Sequence, residues 1–187
     1  MARRRFLAEG YDRVTLRSLA ADAGVDVALI SYHFGSKRGL FGAALQLGVN
    51  PPQVVADQLP GPLATLPERL VRAVLDAWDD PERGASLRAL ATAAPADPDL
   101  GRLFREMAER EMITRVAERI GGADASRRAA VAVSQITGMI FARYVLHIEP
   151  LASMPSDELA ARMTLPLRAA LAGPPRPMSG NAGAAGR

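Results

Sequence analysis

Residues 14–41, VTLRSLAADAGVDVALISYHFGSKRGLF, decide how this chain folds. Thr15 is a good N-cap, and Leu16, Leu19, Ala20 and Ala23 recur behind it at helical spacing until Gly24, a residue at ease in the left-handed conformation that ends helices. Asp26 can cap a second helix two residues further on. There Ile30 and Phe34, four apart, share an inward face, while Ala28, Leu29, Ser31 and Tyr32 point outward. Two short helices joined by a glycine-containing turn make a helix-turn-helix, whose second helix can enter the DNA major groove with its N-terminal residues on base edges. The same pattern also fits an ordinary helical hairpin in an all-helical protein.

Outward from this stretch, residues 3–8 read as the last turns of a first helix, with Phe6 and Leu7 as core contacts and Gly10 as its stop. Downstream, Ser36 can cap a linking helix over 36–48 with Leu40, Phe41, Ala44 and Leu45 on one face. Asn50-Pro51-Pro52 should break it, and Pro60, Gly61, Pro62 and Pro67 prolong the break. Beyond lie helices over about 68–78 and 85–94, then a longer one over 100–120 with Phe104, Met107, Ile113, Val116, Ala117 and Ile120 inward. Arg and Glu at near-helical spacing make the opposite side of the longer helix a solvated face.

Residues 126–147 are apolar nearly all round, which suits a helix buried on several sides. Arg127, Arg128, Ser134, Gln135, Thr137 and Arg143 interrupt the stretch, so it holds no uninterrupted apolar run of membrane-spanning length. Ser156 can cap a last helix over 156–172, with Asp157 and Glu158 in its first turn and Pro166 expected to kink it. The Gly/Ala/Pro-rich tail, 173–187, lacks the apolar content to fold. Leu, Ala and Arg dominate and no run of alternating β-branched residues appears, so the fold class is all-α: a three-helix head with a helix-turn-helix over 1–48, then a larger helical body over 49–172.

Charge singles out the head. Residues 1–48 hold seven basic side chains (Arg3, Arg4, Arg5, Arg13, Arg17, Lys37, Arg38) and four acidic ones (Glu9, Asp12, Asp22, Asp26), so the whole net charge of +3 lies there and the rest of the chain is balanced. That asymmetry suits a phosphate-facing surface. Lys37 is the sole lysine of the 187 residues. With no cysteine and two distant histidines, His33 and His147, disulfides and Cys/His zinc sites are excluded, and neither a metal nor a cofactor is expected. The N-terminus carries no secretory signal pattern, which fits a cytoplasmic protein.

The segments FLAEGYDRVTLRSLAADAGV (6–25) and ISYHFGSKRGLF (30–41) resemble the N-terminal domain of the TetR (tetracycline-repressor) family of transcriptional regulators. Tyr32-His33-Phe34 followed by Ser36-Lys37 is the most specific part of the likeness, which covers about residues 3–48. The family places further helical turns ahead of Arg3, so helix one reads as shortened. The resemblance implies a DNA-binding regulator, most often a repressor, that leaves its operator when a small effector binds in the body. It also implies a homodimer joined through the last two helices (126–147 and 156–172) and an inverted-repeat operator of double-stranded DNA.

Carried over by position, the resemblance makes Thr15 a phosphate-positioning hydroxyl and Arg17 a reader of guanine or phosphate. Val27, Ala28 and Ser31 fall at recognition positions, and Tyr32, His33 and Lys37 resemble a backbone clamp. For Tyr32 and His33, packing within the head is the alternative. Leu16 and Leu29 stand where polar residues are common, and Gly35 is smaller than usual. In the body, Trp78, Phe104, Met107, Gln135, Met139, Phe141, Arg143 and Tyr144 are the candidates for an effector pocket, with plain core packing as the alternative for each. The few inward polar groups, Gln135, Thr137 and Arg143, favour an apolar or amphipathic effector whose anionic end would pair with Arg143. No nucleophile, base or phosphate loop supports an enzyme. A helical scaffold without DNA activity is the stronger rival; it explains the apolar C-terminal helices but not the charge asymmetry.

Overall fold

The computed structural model describes residues 1–45 and 49–172, and among them it contains helices and no strands. The expected end of the linking helix at 46–48 and the tail 173–187 lie outside the described residues.

Four short helices open the chain: α1 (Ala2–Glu9), α2 (Leu16–Ala23), α3 (Val27–Phe34) and α4 (Lys37–Ala44). Their ends follow local chemistry. Thr15 Oγ1 accepts from the Ser18 N–H at 3.0 Å while Ser18 Oγ accepts from the Thr15 N–H at 3.1 Å, a reciprocal cap. Asp26 Oδ1 accepts from the Ala28 N–H at 2.7 Å and Ser36 Oγ from the Gly39 N–H at 3.2 Å. Gly24 closes α2 at φ 67° and ψ 29°, in the left-handed region.

Phe34 departs from expectation, since its side chain is 39% exposed rather than inward. Helix α4 crosses the end of α3 so closely that Gly39 lies directly against the Phe34 carbonyl, where any Cβ would overlap it. The backbone of α3, not the phenyl ring, meets α4.

The expected break at Asn50-Pro51-Pro52 is instead the start of a helix, α5 (Pro51–Gln58). Both prolines occupy the first helical positions, where an N–H would have no partner and their fixed φ already fits. Pro67 does the same in α6 (Leu66–Asp79), which therefore begins two residues earlier than the periodicity suggested. Next come α7 (Arg83–Ala93) and α8 (Pro98–Met107); a π-helical turn over Ala108–Ile113 leads from α8 into α9 (Thr114–Ile120). Helix α10 (Ala125–Ile140) ends in a second π turn, Phe141–Val145, and α11 (Ser156–Ala172) carries Pro166 inside it. Ser156 is the first residue of α11 rather than its cap, and its hydroxyl donates to the Asp79 carboxylate. Helix α10 is not buried all round: Val131 is 50% exposed, and Ser134, Thr137 and Gly138 are exposed with it. Among the described residues no helix is long and apolar enough to cross a membrane.

Two apolar cores organise these helices. In the body, α6 packs against α11 and α5, burying Leu70, Val71, Val74 and Leu75 among Leu159 and Leu167 of α11. In the head, Phe6, Tyr11 and Phe41 form an aromatic cluster with centroid separations of 5.2 to 6.0 Å. Leu103 and Met107 of α8 complete that second core. Leu103 is fully buried there, so truncating it to Ala should cost about 3 kcal/mol. The head is therefore built on a helix of the body.

Candidate nucleic-acid interface and ligand cavity

Helix α3 has one buried residue, Ile30, and turns most of the others outward. Ala28, Ser31, Tyr32 and His33 are exposed, Tyr32 by 84%, and Val27 is half-buried against the head core. The His33 ring meets that of Tyr32 edge-on at 5.3 Å. Thr15 and Arg17 are exposed at the start of α2. A small residue near the N-terminus of a protruding helix, flanked by hydroxyl and aromatic side chains, has the shape that major-groove entry requires.

Lys37 is placed differently from the others. Its ammonium donates to the Asp12 carbonyl at 3.3 Å and lies 4.3 Å from the centre of the Tyr11 ring, and burial lowers its pKa below the ordinary lysine value. Arg5 pairs with Glu9 and Asp22, and Arg38 with Glu111 of the body at 3.2 Å. The positive excess read from the sequence is thus partly internal; Arg3, Arg4, Arg13 and Arg17 are the head cations that remain exposed.

A cavity of about 390 Å³ lies within the body, between α5, α6, α7, α8, the first π turn and α10. Trp78, Phe104 and Met107 line it, as do Thr137 and Phe141. Gln135, Met139, Arg143 and Tyr144 do not. The lining residues of α10 are Val133, Ile136, Thr137 and Ile140, whereas the expected 135, 139 and 143 form the neighbouring stripe. On a helix apolar on most sides, periodicity fails to fix rotation about the axis.

Each displaced candidate has another role. Met139 is body core. Arg143, 9% exposed, donates to the carbonyls of Leu151 at 2.8 Å and Met154 at 2.7 Å and to Ser156 Oγ at 3.2 Å, pinning the loop before α11. The expected pairing of Arg143 with an anionic effector end is thereby corrected. The Tyr144 hydroxyl donates to Asp79 Oδ1 at 2.8 Å, and burial together with that carboxylate pushes its pKa well above the ordinary phenol value. Gln135 buries its Oε1 outside the cavity, with no partner among the described residues.

Comparison with known proteins gives the family of the chain. A family profile described as "Tetracyclin repressor-like, C-terminal domain" matches residues 64–171, and one described as "Bacterial regulatory proteins, tetR family" matches residues 1–44. The chain belongs to the TetR family. A TetR-family regulator from Streptomyces coelicolor A3 is 30% identical over 92% of this chain and 91% of its own, with a TM-score of 0.49. A TetR-family transcriptional regulator from Mesorhizobium loti MAFF303099 is 20% identical over 91% of each chain, with a TM-score of 0.42. No curated protein matches. TetR-family proteins are DNA-binding transcriptional regulators, generally without enzymatic activity, that dimerise and bind small molecules.

In this TetR-family chain the π turn between α8 and α9 touches both the cavity and the head. Ala108 and Met112 line the cavity, while Glu111 faces Tyr11, in the turn after α1, and Arg38 of α4. Glu111 accepts from the Tyr11 hydroxyl at 2.8 Å, from Arg38 at 3.2 Å and from Arg115 at 2.8 Å. Burial alone would push its carboxyl up, but these three donors outweigh burial and hold it below the ordinary carboxylate range. Beside it, Arg110 pairs with Asp12 at 3.0 Å and Arg102 donates to the Leu7 carbonyl at 2.7 Å. Apart from the Arg115 contact within the helix, sequence reading missed these links, because their partners stand some 70 to 100 positions apart in the chain.

Proposed function

We propose that this protein is a repressor that reads an inverted-repeat operator as a homodimer and leaves it when a small apolar molecule fills the body cavity. The observation that carries this reading is one continuous helical path: α8 completes the head core through Leu103 and Met107, and Phe104, Met107 and Met112 also line the cavity. A ligand that packs against this path differently in two head orientations shifts their populations, and only such differential contact can do so. Residues 1–48 serve as the reading head and 49–172 as the effector and dimer body. Arg17 and Ser31 contact bases, Val27 and Ala28 approach thymine methyls, Thr15, Tyr32 and His33 position the phosphates, and Lys37 joins them by swinging its ammonium from the Asp12 carbonyl to the DNA backbone.

The dimer forms through α10 and α11, where Val131 and Leu165 stand exposed at 50% and 66%. Two recognition helices then fall about 34–36 Å apart, one turn of duplex.

Salt-titrated binding to a duplex from the protein's own upstream region tests the reading. Arg17→Ala is expected to lose about tenfold and to relax preference at one base pair, and Lys37→Ala to weaken all sequences with a shallower salt slope. No preference over random DNA at any salt concentration would refute it and leave a helical scaffold.

A further inference from the structure

We infer that the cavity selects an uncharged apolar molecule and rejects ionised ones, an inference that rests on the reading of this cavity as the effector site. Among the described residues no charged side chain lines it, and Thr137 supplies its one side-chain hydroxyl. That hydroxyl already donates to the Val133 carbonyl at 2.9 Å.

Of the arginines on the surrounding helices, Arg105 of α8 and Arg127 of α10 are exposed and stand outside the lining, and the others are engaged elsewhere. Arg88 of α7 donates to the Trp78 carbonyl at 2.7 Å, Arg102 of α8 to the Leu7 carbonyl, and Arg143 to the loop before α11. A carboxylate or ammonium carried into this wall loses its water and meets no counter-charge, a penalty worth at least about a hundredfold in affinity. An apolar molecule meets aromatic faces from Trp78, Phe104 and Phe141 and two adaptable thioethers, Met107 and Met112. The volume of about 390 Å³ lies in the range of small-ligand sites.

Trp78, the sole tryptophan of the chain, lines the cavity, so its fluorescence reports occupancy directly. The full-length protein is titrated at pH 8 with 1-decanol, decanoate and decylammonium, which share one alkyl chain and differ in head group. Saturable perturbation by decanol, with the two ions at least a hundredfold weaker, is expected. Ala91→Leu, which fills the cavity from α7, should weaken decanol at least fivefold with unchanged circular dichroism, while Ser134→Ala on the exposed face of α10 should not. Decanoate or decylammonium binding as tightly as decanol would overturn the inference, and so would the absence of any decanol response up to its solubility limit. If decanol binds as stated yet leaves operator affinity unchanged, the ligand selectivity stands and the effector reading fails.

Discussion

Replacing Glu111 by Gln tests whether head and body are locked together at the π turn. The wild-type carboxylate accepts from Tyr11, Arg38 and Arg115 at 2.8, 3.2 and 2.8 Å. Glu111 and Arg38 are largely buried, whereas Arg115 is more exposed and adds little. A hydrogen bond to a charged group contributes about 1.5 kcal/mol at the low end, so weakening the Tyr11 and Arg38 bonds should destabilise the protein by about 3 kcal/mol. Tyr11→Phe removes one donor and leaves Glu111 with two, so it should cost about 1.5 kcal/mol. Urea denaturation at fixed protein concentration measures both, and the double variant should cost less than the sum because the pair is shared.

The pH dependence gives an independent readout of the same contact. Because the folded carboxyl is held below its ordinary value, its contribution is complete above the ordinary glutamate range and fades as pH falls through the lowered value. The gap between wild type and Glu111→Gln should therefore shrink on acidification. A cost below 0.5 kcal/mol on the same urea scale, or a gap that widens toward acid, would refute the lock.

Gly39→Ala forces a Cβ into the Phe34 carbonyl and should destabilise by about 2 kcal/mol in thermal or urea melts, with weakened operator binding because the end of α3 moves. Arg143→Met leaves the Leu151 and Met154 carbonyls without their donor and should cost about 2 kcal/mol, yet leave decanol affinity within twofold because Arg143 is outside the cavity. Leu165→Asp, at an exposed apolar position of α11, should dissociate the dimer in sedimentation without unfolding the chain.

The sequence by itself determined the features whose causes are local. Thr15, Asp26 and Ser36 cap helices through bonds to residues two or three positions away, and Gly24 ends α2 because it accepts a positive φ. Such bonds are legible because both partners fall in one short window, and the helix-turn-helix follows from them. Proline misled at Asn50-Pro51-Pro52, since a residue that breaks a helix interior also starts a helix, and the pattern alone does not say which.

Tertiary structure decided the rest. Rotation of α10 about its axis fixed which stripe meets the cavity, and a helix apolar on most sides carries too weak a periodic signal for that choice. The roles of Arg143, Tyr144 and Glu111 depend on acceptors and donors brought in by other segments: Arg143 looked like a ligand anchor until the loop at Leu151 and Met154 claimed its protons. Leu103 and Met107 joined the head core because α8 docks there, a contact between segments up to about half the chain apart. A side chain's type is written in the sequence, but its partner is set by which surfaces the packed helices bring within hydrogen-bonding distance.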